Sequence, residues 1–443
     1  MKPFANPFAG AVAALTLSLG LSFASLGPVG AVEIQEVTSP GGIKALLVED
    51  YTNPLIAMKF AFKGAGSTQD ADGKEGTANL MSGLLDEGAG EIDSRAFQAR
   101  LDDLGISLSY DASLDNFTGN FRTIVEFEDD AFDLLKLSVN DPRFDEEPVA
   151  RIRGQIKAGI LADQNDPGEL AGKAFRETVF AGHPYSRPTE GTLESLDKVT
   201  SEDLKALRGK TFAKDNLYVG VVGAISPEKL GERLDAVFGA LPETADLKPV
   251  AEIEPVTGKT VAVELDVPQT AIQFALPGVM RNDEEFFAAY LMNHILGGGS
   301  FTSRLYTEIR EKRGLAYGAG SWLASYDHAA VLGASTATRS DKAAESIEII
   351  RDELKRMAKD GPSEEELAKA KAYVKGSYAI RNLDSSLAIA STLVGIQLDD
   401  LGNDYIDRRK AIIDAVTMEE VKQIARKLLS DEPTVITVGP GGA

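Results

Sequence analysis

One pattern of residues is written twice in this chain, and that duplication limits its possible folds more than any other feature. The stretch "VTSEDLKALRGKTFAKDNLYVGVVG" begins at Val199, and "VTMEEVKQIARKLLSDEPTVITVGP" begins at Val416. Earlier in each half, "MKFAF" around Phe60 matches "IQFAL" around Phe274, with nearly the same spacing between copies. Two anchors near the two ends of each half make chance similarity a poor account. Residues 32–240 and 259–443 are therefore expected to be two copies of one domain, joined by "LPETADLKPVAEIEPVTG" from Leu241 to Gly258. The prolines and charges of that stretch suit a solvated linker that a protease would nick first.

Hydrophobic alternation in "IKALLVED" and "PLIAMKFAFKGAG" predicts two strands and a turn, and "GTANLMSGLLDEG" and "SRAFQARLDDLG" predict helices. Alternation returns in "ISLSYDASLDNFTGNFRTIVE". Helices are expected through "EPVARIRGQIKAGILADQ" and "PGELAGKAFRETVF", and "NLYVGVVG" closes the half as a strand. Strands, helices, strands, helices, strand is the order of α+β layers, not of a regular βαβ winding.

Residues 1–31 have the order of a secretory signal: Lys2, a mostly apolar run from Phe8 to Leu26, then small residues with Val29 and Ala31 placed for cleavage after Ala31. An uncleaved membrane anchor is the alternative, because the run approaches bilayer length, although Gly20, Gly27 and Pro28 interrupt it. The expectation is a periplasmic or otherwise exported chain with its leader removed. An exported protein with no cysteine has no disulfides and must be held by its cores, and 443 residues are ample for two. A net charge of −22 repels nucleic acid and anionic lipid, so neither a nucleic-acid partner nor stable membrane insertion is expected.

Three stretches carry a family resemblance: "GTANLMSGLLDEG"; "NDPGELAGKAF" followed by "GHPYSRPTEGT"; and, most specific, "GGGSFTSRLYTEIREKRGLAYGAGS". On these the chain resembles the pitrilysin/insulinase (M16) family of zinc metallopeptidases over essentially its whole mature length, in the short two-domain branch that is bacterial or like the mitochondrial processing peptidase. The resemblance implies two tandem homologous α/β-layer domains, a duplicated metallopeptidase-like roll, forming half of a clamshell. In catalytic relatives the first of these stretches carries His-x-x-Glu-His. Its two His, four apart, face zinc from one side of a helix while the Glu activates a water. Here Asn79 and Gly83 hold the His positions, Ser82 holds the Glu position, and the third ligand, a Glu on a later helix, falls near Gly159. None can replace the residue it stands for, so no metal and no cofactor are expected on this chain.

The histidines His183, His294 and His328 are isolated, with no second His or Cys at ligand spacing. His183 in "GHPY" is expected to cap or pack a loop, His294 in "YLMNHILGGG" to be a hydrogen-bonded core residue, and His328 to sit at a strand turn. Asp86 and Glu87 read as a solvated helix end, since adjacent acids on a helix point apart.

The second-half signature keeps more chemistry. "FTSRLYTEIREKRG" predicts a helix whose last turn holds Arg310, Lys312 and Arg313, with Gly314 as its cap, and "LAYGAGSWLASY" leaves as a strand carrying Tyr317. The resemblance implies that this Arg holds the substrate main chain and that this Tyr donates to the oxyanion of the tetrahedral intermediate, across a cavity from the zinc helix. The competing reading makes Arg310 a surface cation balancing the helix dipole and Tyr317 a packing residue. Gly297, Gly298 and Gly299 suit close approach of a substrate backbone, and equally a plain turn between helices.

Two functions follow. One is a non-catalytic subunit whose partner carries the intact motif and the zinc, this chain supplying Arg310 and Tyr317 in trans to cleave a peptide. The other is a structural or peptide-binding scaffold with no part in proteolysis, which has no chemical need for that pair. A separate hydrolase chemistry finds no support: no Gly-x-Ser-x-Gly elbow, no cysteine and no phosphate-cradling loop is present.

Overall fold

A computed structural model describes residues 33–440, and the leader expected at residues 1–31 lies outside the described residues. From Ile34 onward the chain forms one compact unit. No helix among the described residues is long and apolar enough to cross a membrane.

The first sheet has six strands in the order β1-β2-β6-β3-β5-β4. They are β1 (Gln35–Thr38), β2 (Lys44–Glu49), β3 (Leu55–Phe62), β4 (Ser107–Ala112), β5 (Phe117–Ile124) and β6 (Leu217–Gly223). The second sheet has five, in the order β7-β11-β8-β10-β9. These are β7 (Thr260–Glu264), β8 (Gln269–Pro277), β9 (Ala316–Ser325), β10 (Ala330–Arg339) and β11 (Thr434–Gly439). Each sheet is antiparallel except for one parallel pair, β2 with β6 in the first and β7 with β11 in the second. The sequence anchors meet at the same crossing in both: Phe60 lies opposite Val219, and Phe274 opposite Val435.

Alternation along the strands builds two faces. In β8, Ile272, Phe274 and Leu276 face a core shared with the helices Phe286–Asn293, Ala343–Asp360 and Met418–Leu429. Ala271 and Ala275 face the other way, toward Phe175 and Val179 of the helix Pro167–Val179. That helix belongs by sequence to the first half yet covers the second sheet.

The exchange is reciprocal. The helix Ser386–Leu398, from the second half, lies on β3 and β6 of the first sheet. A Cβ on Gly220 of β6 would stand 2.5 Å from the Ala390 carbonyl oxygen and 2.8 Å from Leu393 Cβ, so this contact requires glycine. Gln397 Nε2 donates to the Val219 carbonyl at 3.0 Å, and Lys63 Nζ to the Leu398 carbonyl at 2.8 Å.

A buried polar latch adds to the seam. Tyr185 Oη donates to Asp115 Oδ1 at 2.6 Å and accepts from the His328 amide at 3.0 Å, while Asp115 Oδ2 accepts from the Asp327 amide at 3.0 Å. Burial, then Asp115, pushes the Tyr185 phenol far up, so it remains a donor. His183 Nε2 donates to the Ala251 carbonyl at 2.8 Å and Nδ1 accepts from the Tyr185 amide at 3.2 Å, which caps the loop. His328 occupies the turn between β9 and β10.

Residues 241–258 are irregular but fastened. The Lys248 amide donates to Gln69 Oε1 at 2.8 Å, the Ile253 amide to the His328 carbonyl at 3.0 Å, and the Val256 amide to the Val179 carbonyl at 2.9 Å. The solvated linker read from proline and charge is thus tied to both halves along its length.

Candidate functional site

The stretch "GTANLMSGLLDEG" folds as a helix only from Thr77 to Ser82, shorter than its sequence suggests, and continues as turns to Gly88. It is entered through Gly76 at φ +90°. Asp70 clamps that entry, accepting from the Gly76 amide at 2.8 Å and the Ala78 amide at 2.9 Å. Burial pushes the Asp70 carboxyl up to about 7 against those donors and Arg187. Ala78, Leu80, Met81, Leu84 and Leu85 are all buried, so the element survives on its apolar face.

The positions that would hold zinc do not fit it. Asn79 offers an amide, and Ser82 spends its hydroxyl on the Asn79 carbonyl at 2.8 Å. A Cβ on Gly83 would lie 2.9 Å from Ile152 Cγ2 of the neighbouring helix Glu146–Asp163, so a His there collides with a branched side chain. Gly159, on that same helix, has nothing within 4 Å of its Cβ position and presents no ligand. Among the described residues no cluster of three or more His, Cys, Asp or Glu could hold a metal ion. Asn79 and Gly83 follow Phe60 at the same spacing as Asn293 and Gly297 follow Phe274, so both halves carry the same Asn-x-x-x-Gly pattern.

Asp86 and Glu87 are not a solvated end. Glu87 pairs with Arg151 at 2.5 Å and accepts from Ser94, and Asp86 accepts from Gln98, with burial raising its carboxyl to about 6. Tertiary packing over the turn, which helix periodicity does not encode, encloses both.

The second-half signature is not a regular helix. It runs as a 3₁₀ turn at Ser300–Thr302, a single α turn at Arg304–Tyr306, and a π turn at Thr307–Glu311. A second π turn, His294–Gly298, precedes it. Such wide turns recur at functional sites. Gly314 at φ +62° ends the segment as expected, with its amide bonded to the Arg310 carbonyl at 3.0 Å and the Leu315 amide to the Ile309 carbonyl at 2.9 Å.

The glycine run has a use within the chain. A Cβ on Gly297 would lie 2.4 Å from the Ser321 amide nitrogen, one on Gly298 2.8 Å from Asn293 Nδ2, and one on Gly299 2.6 Å from the His294 carbonyl. The backbone that approaches Gly297 is β9, where Ser321 Oγ also donates to Asn293 Oδ1 at 2.6 Å. The run seats the π turn against its own sheet.

Arg310 and Tyr317 stand on adjoining elements, the π turn Thr307–Glu311 and β9, without touching through any hydrogen bond or ring stack among the described residues. Register shifts where Thr336 opposes Ala319 but Thr338 opposes Ala316, so Tyr317 and Gly318 form a bulge against Ala337. Bulges re-aim side chains. Thr336 and Thr338 hydroxyls hold the Gly318 and Leu315 carbonyls at 2.8 and 2.7 Å, and Tyr317 is left 88% exposed on an edge strand. Arg310 lies over the Tyr306 ring at 5.1 Å with no carboxylate partner among the described residues, and Glu308 is taken by Lys312 and Arg313 at 2.6 Å each. Phe301, packed edge-on to Tyr306 at 5.0 Å, is also exposed.

His294 departs from the sequence reading. Its ring is half-buried and stacked on Tyr373, 5.0 Å between centroids, and makes no hydrogen bond among the described residues. A widened turn, not an α-helix, carries it, and apolar periodicity gives no warning of that.

The fold and this site define a duplicated α/β metallopeptidase-like chain whose metal helix is without ligands. The family profile "Insulinase (Peptidase family M16)" matches residues 57–193, and "Peptidase M16 inactive domain" matches residues 198–374. The chain belongs to the M16 insulinase family. It is 25% identical over 422 residues to an uncharacterized zinc protease of Streptomyces coelicolor, covering 94% of this chain and 91% of that one. It is 28% identical over 382 residues to a non-peptidase homolog of Helicobacter pylori, covering 85% and 87%. A solved structure of a peptidase M16 inactive domain from Pseudomonas fluorescens superposes with a TM-score of 0.86 at 28% identity, covering 93% of this chain and 99% of that one.

Proposed function

We propose that this chain is the non-catalytic subunit of an exported, heterodimeric M16-type zinc peptidase that degrades or processes peptides. A partner with an intact His-x-x-Glu-His helix supplies the metal and the water-activating Glu, and this chain supplies Arg310, Tyr317 and half of an enclosing chamber. The observation that carries this reading is the presentation of Tyr317 on a bulge of an edge strand, where it is left largely exposed. A tyrosine retained for packing would be covered. A phenol and a guanidinium held on packed elements supply donors where negative charge develops on a peptide carbonyl. Arg310, with no acid paired to it among the described residues, is placed to take the substrate main chain.

Pairing the chain with such a partner tests the reading. Tyr317→Phe is expected to leave assembly on gel filtration intact and to lower turnover of a quenched peptide about 10²-fold, the usual effect of losing one oxyanion donor. Arg310→Ala is expected to raise KM as well, because it acts in ground and transition states alike. Wild-type turnover in both variants would leave the scaffold reading, which the non-peptidase name of the Helicobacter relative favours.

A further inference from the structure

Exposed aromatic and cationic side chains also gather on the far side of the His294–Gly298 turn from β9. Tyr373, on the helix Glu364–Asn382, takes the His294 ring in a near-parallel stack, 26° between planes. Arg381 lays its guanidinium over the same Tyr373 ring at 5.6 Å, and its Nη2 donates to the Tyr373 hydroxyl at 2.8 Å. That uses one of five N–H donors, and no carboxylate pairs with Arg381 among the described residues. Tyr373 is 48% exposed and the neighbouring Ile380 is 74% exposed. The His294–Gly298 turn touches both this helix and β9, the strand that carries Tyr317.

Arg381 lies in the last turn of its helix, where a cation complements the dipole. The dipole accounts for the charge. It does not account for the ring stack or for an isoleucine left in water. The neighbouring cations Arg304, Lys312 and Arg313 are each matched to an acid of the chain. Arg381 and Arg310 are stacked on tyrosines and unmatched by any acid among the described residues, in a chain of net charge −22.

We propose that Arg381, Tyr373 and His294 form a second grip on the peptide, taking the carboxylate side chain of an acidic residue while Ile380 receives an apolar neighbour. The proposal rests on the reading of this chain as a peptide-handling subunit and names the substrate class that subunit selects. A guanidinium fork matches a carboxylate through two parallel hydrogen bonds. Stacking on Tyr373 holds the fork in place before binding, which lowers the entropy lost on contact. His294 is held neutral, since burial and then Arg381 pull its pKa down, so it adds a ring nitrogen for hydrogen bonding without repelling Arg381. The acidic surface elsewhere acts at long range and is screened beyond about 8 Å at physiological salt, whereas a direct ion pair is not.

The test is fluorescence anisotropy of the mature chain at 0.15 M salt, as in physiological buffer. The probes are two labelled nonapeptides, acetylated and amidated so that no terminal carboxylate remains, identical except for a central Glu-Phe or Gln-Phe. Wild type is expected to bind the Glu peptide about tenfold more tightly, the scale of one charge-assisted contact. Arg381→Gln, on an exposed side chain, removes the preference by weakening the Glu peptide far more than the Gln peptide. Arg310→Gln weakens both peptides alike and keeps the preference. Equal affinity of wild type for the two peptides, a preference that survives Arg381→Gln, or no binding of either peptide overturns the grip. Loss of turnover in the Tyr317→Phe pair is read separately, so the subunit reading stands or falls on its own.

Discussion

At Gly83 a single missing methyl group decides what the first-half helix can become. Its Cβ position lies 2.9 Å from Ile152 Cγ2, and Ile is branched at Cβ, so the neighbour cannot swing aside without leaving its rotamer. Gly83→Ala is therefore expected to cost about 1–3 kcal/mol in urea unfolding, the usual range for overpacking. Ile152→Ala in the same chain should relieve most of that added cost. Additive losses in the double-mutant cycle would show that the two residues do not press on one another. The same geometry limits any attempt to rebuild the metal site. Asn79→His with Ser82→Glu and Gly83→His restores the motif letters but sets one imidazole against Ile152, with bare Gly159 where the third ligand belongs. Elemental analysis of that variant should find no stoichiometric zinc after mild chelation, and one retained zinc per chain would refute the steric account.

At the scale of elements, Arg304 shows how much of the signature "SRLYTEIREKRG" is mechanical. Its Nε and Nη2 grip both oxygens of Glu366 at 2.7 Å, and Nη2 also reaches the Gly361 carbonyl at 3.0 Å. The α turn is thereby tied to the capped start of the helix Glu364–Asn382, which carries Tyr373 and Arg381. The hydrogen bonds from Arg304, helped by the Ser363 amide, hold the Glu366 carboxyl down at about 2 against an ordinary 4.5. A carboxyl lowered on folding stabilises above its unfolded value and loses that contribution as pH falls through its folded one. The wild type should thus lose stability between about pH 4.5 and 2 partly through this pair. Glu366→Gln should lower Tm at pH 7 and flatten that part of the acid limb. An unchanged acid limb would show the pair contributes nothing on titration. Glu366 is readable as the third helical residue after Ser363, the capping-box spacing, but its pairing with Arg304 is not, because sequence separation conceals contacts between elements. The two π turns were hidden for a like reason. "YLMNHILGGG" has ordinary helical periodicity, and only the fit of Gly297 on Ser321 shows why the turn widens.

Taken whole, the molecule was legible in its duplication, whereas the contacts that join its halves were not. Phe60 and Phe274 marked equivalent strands from sequence alone. "LPETADLKPVAEIEPVTG" read as a solvated linker because proline and charge speak only of local exposure. What joins the halves is written elsewhere. "SLAIASTLVGIQL" is apolar on all sides, the mark of a helix buried on more than one face, and its Leu393 meets the first sheet while its Ile396 belongs to the second core. Cutting the chain at the linker and parting the pieces would strip each sheet of a helix. Phe175, Val179 and Ala171 would be bared on one side, and Leu393 and Val394 on the other. At roughly 1.5–3 kcal/mol for each large apolar side chain, the loss is comparable with the whole stability of a domain, about 5–15 kcal/mol. Residues 32–240 and 259–443 expressed singly should therefore fail to unfold cooperatively, whereas co-expression should yield a complex. A protease cut within 241–258 should leave one gel-filtration peak of unchanged volume and one thermal transition, the fragments parting only in denaturant. Two separable fragments, each melting cooperatively, would show that the exchanged helices are dispensable and that the halves are independent domains after all.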